Sequence, residues 1–143
     1  MVKQRTITIH KVKTSFKSKL KEYISGFKIF IFLDSNNSKF REYDYLAAVN
    51  ALDFVCPESN KFNSLKKYYN KYNDWLFGHF SYDLKNEIDD LKSENIDNIK
   101  FPELFFFRPE LVFICKKDEL RIESFKSKKY HSEIINIINK SEL

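Results

Sequence analysis

Glycine is nearly absent: the 143-residue chain has only 2, Gly26 and Gly78. Backbone comes up against a phosphate most readily at glycine, so a P-loop or a Gly-rich dinucleotide-binding turn is excluded. Cysteine is just as scarce. Cys56 and Cys115 stand alone beside apolar residues with no C-x-x-C spacing, which argues against a disulfide framework or a zinc site. Both are read as reduced, buried core thiols. His10, His79 and His131 share no metal-ligand spacing either. Apolar runs such as Ile29 to Leu33 fall far short of a membrane span. Met1 to Lys13 is basic but has no continuous apolar stretch, so no signal peptide is expected, and the chain is read as cytoplasmic.

What is present suits a globular protein. Hydrophobic residues make up 43% and charged residues 31%, with 15 Phe and 8 Tyr. A chain of this length buries enough surface for one core, so a single domain over residues 1–143 is expected. The formal net charge of +5 is too modest to require an anionic partner.

Local patterns give the order of elements. Thr6 to Val12 alternates, Ile7 and Ile9 against Thr6, Thr8 and His10, as in a half-buried strand. Thr14 or Ser15 is placed to cap a helix carrying Phe16, Leu20, Tyr23 and Ile24 on one stripe, and Gly26 falls where positive φ would end it. Phe27 to Leu33 reads as a buried strand, Asp34 to Ser38 as a turn, and Tyr43 to Val55 as a strand interrupted near Asn50. Glu58 to Tyr72 predicts a helix with Phe62, Leu65, Tyr69 and Tyr72 inward. Trp75 to Tyr82 predicts a buried strand that another backbone approaches closely at Gly78. A short helix at Leu84 to Leu91 and a loop at Lys92 to Lys100 follow. Strands are then expected at Leu104 to Phe107, Leu111 to Lys116 and Leu120 to Phe125, with a turn at Lys117-Asp118-Glu119. A last helix is marked by Ile134, Ile135, Ile137 and Ile138. Strands and helices mix without a strict βαβ rhythm, which predicts an α+β fold, a mixed and largely antiparallel sheet with flanking helices.

Candidate chemistry is sparse. Asp83 and Glu87 share a helix face but lie in polar sequence, and Asp83 suits a helix cap better than acid–base work. His79 reads as a hydrogen-bonded core histidine. Lys66, Lys67 and Lys71 flank Tyr68, Tyr69 and Tyr72, a pattern compatible with nucleic acid. Core tyrosines and a wet lysine face explain it more simply, so neither nucleic acid nor membrane is expected as a partner. Ser35, with Asp34, Asn36 and Ser38, gathers hydroxyl, carboxylate and amide groups between two apolar strands. Such a loop either satisfies its own turn backbone or recognises a small amino acid.

The segment Trp75 to Asp90, with Gly78 followed by Tyr82-Asp83, resembles the Gly-x-x-x-Tyr-Asp stretch in the N-terminal domain of chorismate-utilising enzymes. These are component I of aminodeoxychorismate (para-aminobenzoate) synthase and of anthranilate synthase. Phe101-Pro102-Glu103-Leu104 resembles the family's next segment and Phe107 to Cys115 the strand after it. Upstream, Phe32-Leu33-Asp34-Ser35 and Tyr43-Asp44 resemble its Leu-Leu-x-Ser loop and following strand. The resemblance covers roughly residues 27 to 125. It implies a tryptophan-like pocket at Ser35, Phe40, Tyr43 and Asp44, and a structural motif of Gly78, Tyr82, Asp83 and Pro102. Asp34 stands where anthranilate synthases carry Glu, which favours the aminodeoxychorismate branch; the anthranilate branch, with a feedback site, and a free-standing binding module are the alternatives. No catalytic residue, metal ligand or cofactor is expected in this chain. The resemblance places chorismate and Mg2+ in a C-terminal domain absent from it, and a glutamine amidotransferase component as the ammonia source.

Overall fold

The computed structural model describes residues 4–35, 42–80 and 104–141. The elements among them run β1 (Thr6–Lys11), α1 (Phe16–Ile24), β2 (Phe30–Asp34), β3 (Tyr45–Val55), α2 (Lys61–Tyr72), β4 (Phe77–Phe80), β5 (Leu104–Lys116), β6 (Glu119–Ser124) and α3 (Lys128–Asn139). The strands form a six-stranded sheet in the order β1-β6-β5-β3-β2, with β4 paired to β5 off that path. The pairs β1–β6, β5–β6, β2–β3 and β4–β5 are antiparallel. The fold is therefore mixed α and β with a mostly antiparallel sheet, as the mixed pattern predicts. The expected helix at Leu84 to Leu91, the loop at Lys92 to Lys100 and the segment around Pro102 lie outside the described residues.

Two compact units divide the chain, one holding residues 3–51 and 109–143, the other residues 52–108. In the first unit α1 and α3 supply Phe16, Leu20, Ile24, Ile134 and Ile138 to one core with strand residues Ala47, Val49, Phe113 and Ile122. The i, i+4, i+8 spacing of α1 accounts for its buried stripe. Its ends differ from expectation. Ser15 makes no side-chain cap bond, and the helix closes through Ser25, whose Oγ donates to the Glu22 carbonyl at 2.7 Å. Gly26 does not take positive φ. At α3 the cap is present: Ser127 Oγ accepts the Tyr130 N–H at 3.3 Å. Ser127→Ala should lower stability by about 1 kcal/mol, read as a shift of the urea midpoint.

Strand β1 turns the opposite face inward from the one its isoleucines suggest. Ile7 and Ile9 are 52% and 65% exposed, while Thr8 and His10 face α3, where His131 is fully buried. A buried imidazole needs partners for both ring nitrogens, and period-2 alternation then sends the isoleucines outward. Strand β2 is at the other edge and half-buried rather than a core strand. Asn50, at φ 61°, marks the expected interruption, yet β3 continues through it. Likewise β5 runs unbroken through Pro109, where two strands were expected. Pro109 falls between the stretch paired with β4 (104–107) and the stretch paired with β6 (112–116), so neither ladder asks it for an N–H. Cys115 is buried as expected, but Cys56 is exposed; both are free thiols.

The second unit is built on aromatics. Gly78 sits opposite Phe106 in the β4–β5 ladder. Around it Phe80 packs on Phe106 with centroids 4.9 Å apart, Trp75 stacks on Phe77 at 5.7 Å, and Phe54 meets Phe105 at 5.7 Å. The close approach expected at Gly78 is present, since a Cβ there would collide with the Phe105 carbonyl oxygen. Within β4 only Phe77 is buried. His79 is exposed and stacks on Phe105 instead of occupying a core. Helix α2 buries no residue fully, and its inward stripe is Leu65, Tyr68 and Tyr72, leaving Phe62 and Tyr69 exposed. The rotation has a cause: Tyr68 donates to the Asp53 carboxylate, and Tyr72 lies 3.9 Å beneath the Arg108 guanidinium.

Candidate functional site

The site forms in the first unit, where β2 and β3 separate. Their ladder ends with Leu33 opposite Leu46 and Asp34 opposite Tyr45, and the Ser35 N–H then donates to the Asp44 carbonyl at 3.0 Å. At this end of the ladder lies a cleft of about 260 Å³ lined by Leu33, Asp34, Ser35, Glu42, Tyr43, Tyr45 and Leu46. Turn-forming polar residues after an apolar strand explain why the chain leaves the ladder here.

Each lining group has a physical setting. Tyr45 is 6% exposed, and its ring stacks on Phe32 with centroids 5.5 Å apart. Burial first, then a hydrogen bond with the Cys115 thiol and the nearby Asp44 charge, pushes its phenol well above the usual tyrosine range. Tyr45 is therefore a neutral wall, with no role as a base near pH 7. Lys17 Nζ, from α1, lies 2.5 Å from Asp34 Oδ2 and neutralises that carboxylate at the rim. The result is an aromatic and leucine-lined hollow with a serine hydroxyl and carboxylates at its edge. Such a surface suits a small ligand with an apolar body and an ammonium group.

Of the residues singled out from sequence, Ser35 and Tyr43 meet in this cleft. Asp44 does not line it. Its carboxylate accepts the Lys117 N–H at 2.6 Å and its own N–H donates to the Cys115 carbonyl at 2.8 Å, so it ties the loop to the β5–β6 turn. Lys117, at φ 58°, is the strained corner of that turn. Gly78 belongs to the second unit and acts in the β4–β5 ladder. Phe40, Tyr82, Asp83 and Pro102 lie outside the described residues.

Two constellations were not singled out from the sequence. In the second unit Arg108 donates from Nη1 to Asp53 at 2.7 Å and from Nε to Asp74 at 3.3 Å while stacking on Tyr72. A lone cation inside an aromatic strand, Phe107-Arg108-Pro109, was the available signal, because a cation there needs carboxylates brought from elsewhere. In the first unit Glu110 accepts from Asn50 Nδ2 at 2.7 Å, Lys126 Nζ at 3.2 Å and Tyr130 OH at 3.3 Å. Burial alone would raise the Glu110 carboxyl, but the Asn50 and Lys126 bonds outweigh it and hold it below the ordinary range. Among the described residues no group of three or more His, Cys, Asp or Glu is arranged to hold a metal ion, and no helix is long and apolar enough to cross a membrane. Compared with known proteins, the chain matches no family model, no curated sequence and no solved structure.

Proposed function

We propose that this chain is the N-terminal, non-catalytic domain of component I of aminodeoxychorismate synthase, acting in the cytoplasm. The parent enzyme would replace the 4-hydroxyl of chorismate with ammonia from a glutamine amidotransferase component, toward para-aminobenzoate and folate. Chorismate and Mg2+ would be held by the C-terminal domain outside this chain. The work of the domain is to pack on that catalytic part and to carry a small amino-acid pocket. One observation carries this reading: the 260 Å³ cleft opens at Ser35 and Tyr43, where the resemblance implies a tryptophan-like site. The leucines and tyrosines around it suit an indole, and the Ser35 hydroxyl with the Glu42 carboxylate suits an ammonium.

Calorimetric titration of the chain with L-tryptophan tests the pocket. Binding is expected, and Ser35→Ala should weaken it about tenfold, the scale of one hydrogen bond to a charged group. A folded chain that shows no heat of binding overturns the pocket. A parallel incubation with chorismate, ammonia and Mg2+ is expected to form no product, and turnover by the chain alone overturns the non-catalytic assignment.

A further inference from the structure

We propose that Thr8, His131 and Ser124 form an acid-released latch that fastens the beginning of α3 to the sheet. His131 lies in the first turn of α3 and is completely buried. Its Nδ1 is 2.6 Å from Thr8 Oγ1 on β1, and its Nε2 is 2.6 Å from Ser124 Oγ at the end of β6. Thr8 Oγ1 also lies 2.8 Å from His10 Nε2, and Ser124 Oγ accepts the Lys126 N–H at 3.1 Å. One helix is thus stapled to two neighbouring strands through a single imidazole.

The hydrogens decide how the latch works. With both histidines neutral, every contact is satisfied by one run of donors. His10 Nε2–H gives to Thr8, Thr8 gives to His131 Nδ1, and His131 Nε2–H gives to Ser124; the run also works in reverse. A proton added to His131 makes both its nitrogens donors and places a full charge where water does not reach. A second proton on His10 then sets two cations on either side of one hydroxyl.

Among the described residues, the elements packed around His131 bring no anion against its ring. On β1 the titratable group facing His131 is His10. Along β6, Arg121 and Glu123 pair with each other at 3.2 Å, and Glu123 sits opposite the outward-facing Ile7. Helix α1 presents Phe16, Leu20 and Ile24 to the core, while its Lys19 Nζ reaches the Asn139 carbonyl at the far end of α3. On α3 itself Tyr130 bonds Glu110, which is already held by Lys126 and Asn50. Burial first, and His10 second, lower the His131 pKa below 6.5. Burial lowers that of His10 as well. The released state therefore binds more protons than the latched one as pH falls below about 6.5, so acid favours release and neutral pH favours closure.

Amide hydrogen exchange on the 143-residue chain, corrected for intrinsic rates, tests this between pH 7.5 and 5.5. Protection of the first turns of α3 is expected to fall by up to about tenfold per pH unit below pH 6.5, with α1 unchanged, as uptake of one proton requires. His131→Gln should remove that pH dependence while the strands stay protected. Should this variant fail to fold, the ring Cε1–H signal of His131 in the unaltered chain decides: it is expected to stay in its neutral position while α3 remains protected. An ordinary His131 titration with α3 still protected overturns the latch. So does a parallel loss of protection in α1 and α3, which would mean global unfolding instead of local release.

Discussion

Gly78→Ala is expected to destabilise the protein by about 3 kcal/mol, because the added methyl has nowhere to go. A Cβ at this position would collide with the Phe105 carbonyl oxygen and stand 2.7 Å from Phe106 Cα and 2.8 Å from the Phe105 carbonyl carbon. These are backbone atoms of the paired strand and cannot swing aside as a side-chain tip would. Relief requires β4 to lift from β5, with loss of the contacts of Phe77 on Phe107 and Phe80 on Phe106. Trp75, the single tryptophan, stacks on Phe77 at the start of β4 and reports that loss by fluorescence during urea unfolding. Gly26→Ala is the control. Its Cβ would meet only the Tyr23 carbonyl at an ordinary 3.6 Å, so a change within about 0.5 kcal/mol is expected. Equal effects at the two glycines would refute the close-approach account.

Arg108→Met is expected to lower stability by a similar amount, about 3 kcal/mol. The Arg108 side chain is 12% exposed and Asp74 is 8% exposed, with Asp53 at 36% on the outer side. Methionine preserves much of the apolar stem over Tyr72 but removes the cation that faces both carboxylates. The cost comes mainly from taking the guanidinium away from the nearly buried Asp74 carboxylate that it faces at 3.3 Å. A double-mutant cycle with Asp74→Asn separates this from lost packing. The double variant should lose clearly less than the two single losses added together, because the second change removes the charge that the first exposed. Additive losses would mean that Arg108 acts through packing alone.

Most elements were legible in local pattern because local chemistry makes them. The 16-20-24 stripe of α1, the isoleucines of α3 and the Lys117 turn need only neighbours a few residues away. The cleft at Ser35 and Tyr43 is different: local pattern gives only a polar turn after an apolar strand, and a pocket there was implied by the family resemblance alone. The readings that failed depended on partners far along the chain. The inward face of β1 follows from His131, more than a hundred residues later, and the inward stripe of α2 from Asp53 and Arg108. The role of Asp44 follows from Lys117.

The chain by itself therefore determined the α+β class, most of the order of elements among the described residues and the need for glycine at residue 78, all consequences of short-range sterics and hydrophobic periodicity. Tertiary structure alone decided which face of β1 is inside, that Pro109 sits within a continuous strand, and that two histidines share one threonine hydroxyl. Periodicity reports that two faces differ; which one is buried depends on polar groups arriving from distant segments, and a buried imidazole or guanidinium brings its partners inward with it.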